Sequence, residues 1–440
     1  MRIFRDVEKA RATLLRHQPL ELVEVPPALK QRIRDAFGEE LTPSQAVERI
    51  IAGVRDRGDD ALVDYTRTLD GVELQSLESG EEDMARAQGE VPAEVVSALS
   101  LAAERIRSFH QAHKPEGSMD YSEGGLGQLR LPLQRVGVYA PGGTASYPST
   151  VLMTAIPARV AGVDEVFLAT PPDREGRVPP AMLVAARLAG VDRVFPVGGA
   201  QAIGALALGT PSVPRVDKVC GPGNIFVQLA KRQVYGLVDI DGLYGPTETV
   251  ILADGAADAR LCAADLLAQA EHDPMASAVL ITPSEPLALR VSEEIATQLL
   301  DLDRRDIAAA AIEGRGGIVL VRDMDEAIEL ANLYAPEHLA LMVADASGYL
   351  GRIRNAGGIF LGETSPEALG DYMAGPSHVL PTGGTARFAS PLGVDDFLKR
   401  IIVVSLNGDA LRRLGPPTVA LARAEGLGAH ARAVEMRLEK

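Results

Sequence analysis

Tryptophan is absent and aromatic residues make up only 4% of the 440-residue chain. Single-stranded nucleic acid is held on stacking platforms of such rings, so that class of partner is excluded. Positive charge is also short: 44 Lys and Arg stand against 60 Asp and Glu, a formal charge of −16. A duplex phosphate backbone or an anionic membrane calls for a concentrated cationic surface. Two cysteines, Cys220 and Cys262, cannot build a disulfide framework and fit a reducing cytoplasm. Apolar stretches such as VLMTAIPARVAGV (151–163) are too short and too interrupted to span a bilayer. The start, MRIFRDVEKARATLLRH, is charged throughout and lacks the apolar core of a secretion signal. These absences predict a soluble cytoplasmic protein with no nucleic-acid or membrane partner.

What is present is core material. Hydrophobic residues reach 46%, ample for a large interior. Residues 1–110 carry helical patterns; in ELTPSQAVERIIAGVRDRGDDALVDYTRTLDG (40–71), Thr42 stands at a cap, Pro43 opens the helix, and apolar residues recur at three and four. The polar, glycine-rich HKPEGSMDYSEGGLGQLRLP (113–132) breaks this rhythm and marks a boundary. RVGVYAPGG (135–143), VDEVFLAT (163–170), VDRVFPVGG (191–199) and VDKVCGPG (216–223) then repeat strand-then-turn, with alanine-rich helical segments at 181–190 and 200–209. A second set follows in TVILAD (249–254), ASAVLIT (276–282), GGIVLV (316–321), LALMVAD (339–345) and GGIFLG (357–362). Strands alternating with helices predict an α/β fold of two units with mainly parallel sheets. Beyond residue 393 the chain reads as a helical, charged tail.

Glycine turns follow three strands directly: Gly142-Gly143, Gly198-Gly199 and Gly221-Pro222-Gly223. At the carboxyl end of parallel strands such turns can cradle a phosphate with backbone N–H groups, although no G-x-G-x-x-G occurs. Histidine is scarce, at seven residues, and four of the seven lie in polar settings after residue 270. DLLAQAEHDP (265–274) places Gln269 and His272 on one helical face, an amide oxygen and an imidazole that both suit zinc. GDYMAGPSHVLPTGG (370–384) adds Asp371 and His378 in a stretch without period, and EGLGAH (425–430) adds Glu425 and His430. YAPEHL (334–339) sets Glu337 against His338, adjacent on a loop and able to share one cleft as an acid/base pair. His17, His110 and His113 read as surface residues, and Cys220 as a small buried apolar residue.

The blocks VGVYAPGGTASYPSTVLMTAIPARVAGV, GGAQAIGALALGT, CGPGNIFVQLAKRQVYG, DLLAQAEHDP, YAPEHL and GDYMAGPSHVLPTGG, in that order, resemble histidinol dehydrogenase from about residue 20 to the C-terminus. The resemblance implies a zinc-dependent homodimer of histidine biosynthesis that oxidises L-histidinol through the aldehyde to L-histidine and reduces two NAD⁺. It implies zinc ligands Gln269, His272, Asp371 and His430, and Glu337 and His338 as the acid/base pair. NAD would meet Tyr139, Gln201 and Asn224; substrate would meet Thr247, His338, Glu425 and the zinc ligands. Two incomplete Rossmann-like domains are implied: 33–117 with 246–392, and 118–245. Small helical elements, 1–32 and 393–440, would flank them, the latter reaching the other subunit's site. Three residues depart from the family pattern: Thr247 stands for Ser, Ser377 for Asn, and Met373 for a small residue. The nearest alternative is a superfamily branch acting on sulfonated propanediols, against which Glu425, five residues before His430, favours an imidazole-bearing substrate.

Overall fold

The computed structural model of the chain describes residues 1–17, 27–117, 119–122, 125–142 and 146–439. Among them, β1 (Ile3–Phe4) lies near the start, and β2 (Met119–Ser122) and β3 (Leu126–Pro132) form an antiparallel pair. Next come β4 (Arg135–Tyr139), β5 (Glu165–Ala169), β6 (Arg193–Phe195), β7 (Lys218–Cys220) and β8 (Asp239–Ile240), a parallel sheet in the order β6-β5-β4-β7-β8. A second parallel sheet takes β9 (Glu248–Ala253), β10 (Ser277–Thr282), β11 (Gly317–Leu320), β12 (His338–Met342) and β13 (Gly358–Leu361). With β1 at its edge, its order is β1-β11-β10-β9-β12-β13. Finally β14 (Leu398–Val404) runs antiparallel on β3.

Strands β9 and β10 are buried along their whole length, as expected where helices cover both faces of a parallel sheet. The five-stranded sheet is covered in the same way. On one face, helix Pro43–Arg57 opens with the Thr42–Gln45 capping box and buries Val47, Ile50, Ile51 and Val54 with helix Gly199–Leu208. On the other, helix Ala93–Ala112 buries Leu99, Ala102, Ala103 and Ile106 against helices Pro148–Ala161 and Pro180–Ala189. The helices of 43–112 thus pack on the sheet of 118–245, where the sequence reading groups 33–117 with 246–392. An apolar stripe says that a helix is covered and is silent about which sheet covers it. The N-terminus is likewise no free-standing helical element: Ile3 and Phe4 pair with β11, and Ala10, Leu14 and Leu15 pack into the core of the six-stranded sheet.

The tail also differs from expectation. The run LKRIIVV is a strand, β14, because four consecutive β-branched residues favour the extended ladder on β3 over a helix. The helices Gly408–Ala424 and Gly428–Leu438 after it pack chiefly on each other, with Ala422 and Ala431 buried. None of the described helices is long and apolar enough to cross a membrane.

Gly221, just after β7, holds φ at +117°, and a Cβ there would lie 2.0 Å from the Tyr139 carbonyl oxygen. Gly221→Ala combines a disfavoured backbone with a clash in a packed interior, so it should destabilise the protein by about 3 kcal/mol in denaturant unfolding. A loss below about 0.5 kcal/mol would contradict this close approach.

Candidate active site

A cleft of about 530 Å³ lies between the two sheets. One wall is the turns that leave the carboxyl ends of β4 and β7, with Gly142, Gly223 and Asn224. The other wall is Thr247, Glu337 and His338, at the amino ends of β9 and β12. The carboxyl-end rule therefore locates half the site. The chemistry sits at the opposite edge of the second sheet. Of the glycine turns, Gly143 lies outside the described residues.

Helix Met324–Tyr334 ends because Ala335 turns left-handed, φ 55°, ahead of Pro336. For a residue with a Cβ this costs about 1–2 kcal/mol, and the neighbouring backbone holds it there. Gly357 N–H donates to the Pro336 carbonyl at 2.9 Å and Gly358 N–H to the Glu337 carbonyl at 2.8 Å. The chain then enters β12, where His338 is paired to Thr249 on one side and Gly358 on the other. Both side chains of the pair are buried, at 7% and 3% exposure.

Glu337 accepts hydrogen bonds from the Thr247 hydroxyl at 2.5 Å and from Glu248 N–H at 2.9 Å. Gln269 Nε2 donates in turn to the Thr247 oxygen at 2.5 Å. Burial nevertheless dominates and raises the Glu337 carboxyl to about 7. His338 Nδ1 lies 3.2 Å from the Glu248 carbonyl and 3.6 Å from the Glu337 carboxylate. Its Nε2 is buried without a hydrogen-bond partner, 3.5 Å from Asp371. Burial opposes charge on this imidazole, but Glu337, Asp371 and Glu367 outweigh it and raise its pKa to about 10.

Gln269, near the end of helix Ala259–Ala270, His272 just past that helix, and Asp371 on the short helix Glu367–Tyr372 all line the cleft. Asp371 therefore sits on a helix and not in an unstructured loop. The Gln269 amide nitrogen is engaged by Thr247, which leaves its amide oxygen as the group able to ligate. Amide oxygen, imidazole nitrogen and carboxylate suit zinc, and the unpartnered His338 Nε2 beside Asp371 marks a polar site short of a partner. The donors fit, but they are incomplete. Among the described residues no cluster of three or more His, Cys, Asp or Glu could hold a metal, and His430 and Glu425 lie exposed on the C-terminal hairpin, away from this cleft. His378 turns its Nδ1 to the Asp371 carbonyl at 2.9 Å and its Nε2 to the Thr150 hydroxyl at 3.2 Å, a positioning geometry for Asp371.

The three residues matched to NAD sit around the five-stranded sheet. Tyr139 ends β4, and its hydroxyl accepts from Gly199 N–H at 3.1 Å. Gln201 donates to Asp70 at 3.2 Å, while its own Oε1 is buried without a partner. Asn224 caps helix Ile225–Val234 and is exposed to the cleft. Ser377 is structural here, its hydroxyl donating to the Met153 carbonyl at 3.0 Å, and Met373 packs against the core of the five-stranded sheet.

Two residues escape sequence reading. His17 is no surface residue: its Nδ1 lies 3.0 Å from Glu248, its ring stacks on Tyr334, and Glu248 is the residue whose backbone holds both Glu337 and His338. Glu367, buried, accepts from the Thr249 hydroxyl, and burial raises its carboxyl to about 7. Neither carries a sequence signal, since the first depends on a contact more than two hundred residues away. His110 is also buried, at 2% exposure, and burial lowers its pKa to about 4; His113 is exposed as expected.

Fold and site together define a class: an α/β enzyme whose cleft joins a buried acid/base pair to donors for a cation. A profile of the histidinol dehydrogenase family matches residues 36–438. A histidinol dehydrogenase from Deinococcus radiodurans is 53% identical over 442 residues, covering 100% of both chains. Another from Moorella thermoacetica is 54% identical over 400 residues, 89% of this chain and 94% of its own. The crystal structure of histidinol dehydrogenase from Elizabethkingia anophelis matches with a TM-score of 0.89 at 33% identity, covering 99% of this chain and 97% of that one. The chain belongs to the histidinol dehydrogenase family, and is an oxidoreductase.

Both thiols are free and fully enclosed, and burial pushes Cys220 well up and Cys262 to about 12. Neither should react with a chromogenic disulfide reagent in the folded protein, and both should react after unfolding. Rapid labelling of Cys220 in the folded protein would restore it as a candidate nucleophile.

Proposed function

We propose that the chain oxidises L-histidinol through L-histidinal to L-histidine with two NAD⁺, as a zinc-dependent cytoplasmic homodimer with shared active sites. The observation that carries this is the buried Glu337–His338 pair opening on a cleft that also presents Gln269, His272 and Asp371. When bound, the nicotinamide would supply hydride acceptance, and zinc would fix the substrate's imidazole and amino nitrogens through Gln269, His272, Asp371 and His430.

The chain's own groups do the proton work. His338 takes the hydroxyl proton as hydride leaves the carbon, a contribution of roughly 10²–10⁴-fold. For that the imidazole must be neutral, a state that a cation held by Asp371 would favour by offsetting one of the carboxylates that raise it. Glu337, buried and poised near neutrality, holds the water that hydrates the aldehyde, and His338 takes the second proton. Thr247 donates to Glu337 and orients it, with Gln269 behind. Its extra methyl narrows the pocket and keeps the hydroxyl. Glu425 would accept from the far imidazole nitrogen.

Completion by a second copy rests on the C-terminal hairpin. Its Leu421 and Met436 are 67% and 53% exposed, and Ile402 and Val404 of β14 are 66% and 62% exposed, large apolar side chains left uncovered by this chain. His430 and Glu425 sit exposed on that same hairpin, open to a second subunit that covers it.

Turnover should yield two NADH per histidinol, with activity lost on chelation and restored by zinc. His338→Ala should slow both oxidations by about 10²–10⁴-fold with normal zinc content. Glu337→Gln should impair histidinal oxidation more than histidinol oxidation, measured as separate half-reactions. Equal losses in the two steps would remove Glu337 from the water-activating role.

A further inference from the structure

Beneath the Gly221–Asn224 turn lies a charge pair that the proton chemistry above does not use. Lys231, on helix Ile225–Val234, and Asp241 have no solvent-exposed side-chain surface, and the Lys231 ammonium donates to Asp241 Oδ1 at 2.5 Å. Between them they hold both backbone polar groups of Gly221. Lys231 Nζ donates to its carbonyl at 2.9 Å, and its N–H donates to Asp241 Oδ2 at 2.7 Å. The ammonium also lies 4.6 Å from the centroid of the Tyr244 ring, which it faces. One turn back on the same helix, Gln228 donates to the Gly223 carbonyl at 3.2 Å and accepts from Tyr244 N–H at 2.8 Å.

The turn after β7 is thereby bridged twice to segment 241–244. Three residues further along that segment stands Thr247, which donates to Glu337. A buried ion pair is poor ground for stability, because desolvating both charges offsets their attraction and apolar substitutes often fold as well. Its better-attested use is to fix register. Here the elements in register are the cofactor-side turn with Asn224 and the strand that carries the catalytic carboxylate's partner.

We infer that Lys231 and Asp241 are positioning residues: their ion pair holds the Gly221–Asn224 turn where a dinucleotide rests, at a fixed distance from the catalytic carboxylate. The inference deepens the proposed function and rests on it, since it takes the turn and Asn224 as cofactor contacts. It adds two residues that touch neither substrate nor cofactor.

Lys231→Met alone would strand a carboxylate in the interior, so the working variant is Lys231→Met with Asp241→Asn, whose amide oxygen still accepts the Gly221 N–H. The readout is NADH binding to the zinc-loaded protein without substrate, by fluorescence, alongside thermal melting and the Michaelis constants. NADH affinity should fall roughly ten- to hundredfold, with KM for NAD⁺ rising in step. KM for histidinol should change far less, and melting should stay within a few degrees. A folded variant that binds NADH as well as the parent overturns the inference. Should the double variant fail to fold, Lys231→Gln with Asp241→Asn, an uncharged pair of amides, is measured in the same way, and unchanged affinity there overturns it too. A parent protein that binds no NADH would instead overturn the functional reading, a different result from parent binding that the variant retains.

Discussion

The interaction on which the structure turns is the burial of the Glu337 carboxylate beside the His338 imidazole, satisfied by one hydroxyl and one backbone N–H. A carboxylate taken out of water is costly unless it is hydrogen-bonded and its neighbours are fixed. That requirement explains the surroundings. Strand β12 is central, laddered on both sides, so His338 cannot drift. Gly357 must lack a side chain, because a Cβ there would lie 2.6 Å from the Glu337 carbonyl oxygen. Ala335 tolerates a left-handed backbone so that the helix stops where the pair begins. Glu248 supplies the backbone groups on both sides of the pair, and its own carboxylate is anchored on His17.

The two sheets meet the cleft in opposite senses. The five-stranded sheet contributes the carboxyl ends of β4 and β7 and the glycine turns that follow them, among them Gly142 and Gly223. The six-stranded sheet contributes the amino ends of β9 and β12, where buried polar side chains can be pinned by the ladder itself. The two walls of the cleft thus stand on separate frames. The Lys231–Asp241 pair and Gln228 bridge them through one short segment.

Much of this was legible in the residues. The βα rhythm, the capped helix at Thr42, the glycine turns and the clustering of Gln269, His272 and Asp371 with Glu337–His338 all follow from local pattern or from the six blocks of family resemblance. What was not legible is what depends on distant packing. The apolar stripes of helices 43–57 and 93–112 do not name the sheet they cover. The β-branched run at 401–404 reads as a helix continuation until its partner strand at 126–132 is known. His17 looks like a surface residue because Glu248 and Tyr334, which bury it, lie far along the chain. The exposed position of His430 is the same lesson, since within one chain it stands away from Gln269, His272 and Asp371 and leaves the proposed donor set incomplete.

That incompleteness makes the central claim testable with subunits that are each inactive. His338→Ala and His430→Ala chains, separately tagged, are unfolded together, refolded with zinc, and the mixed dimer is isolated through both tags. In the mixed dimer one site keeps both His338 and an incoming His430, so activity should return to roughly half that of the parent. A purified, zinc-loaded mixed dimer as inactive as either variant alone would contradict the shared site.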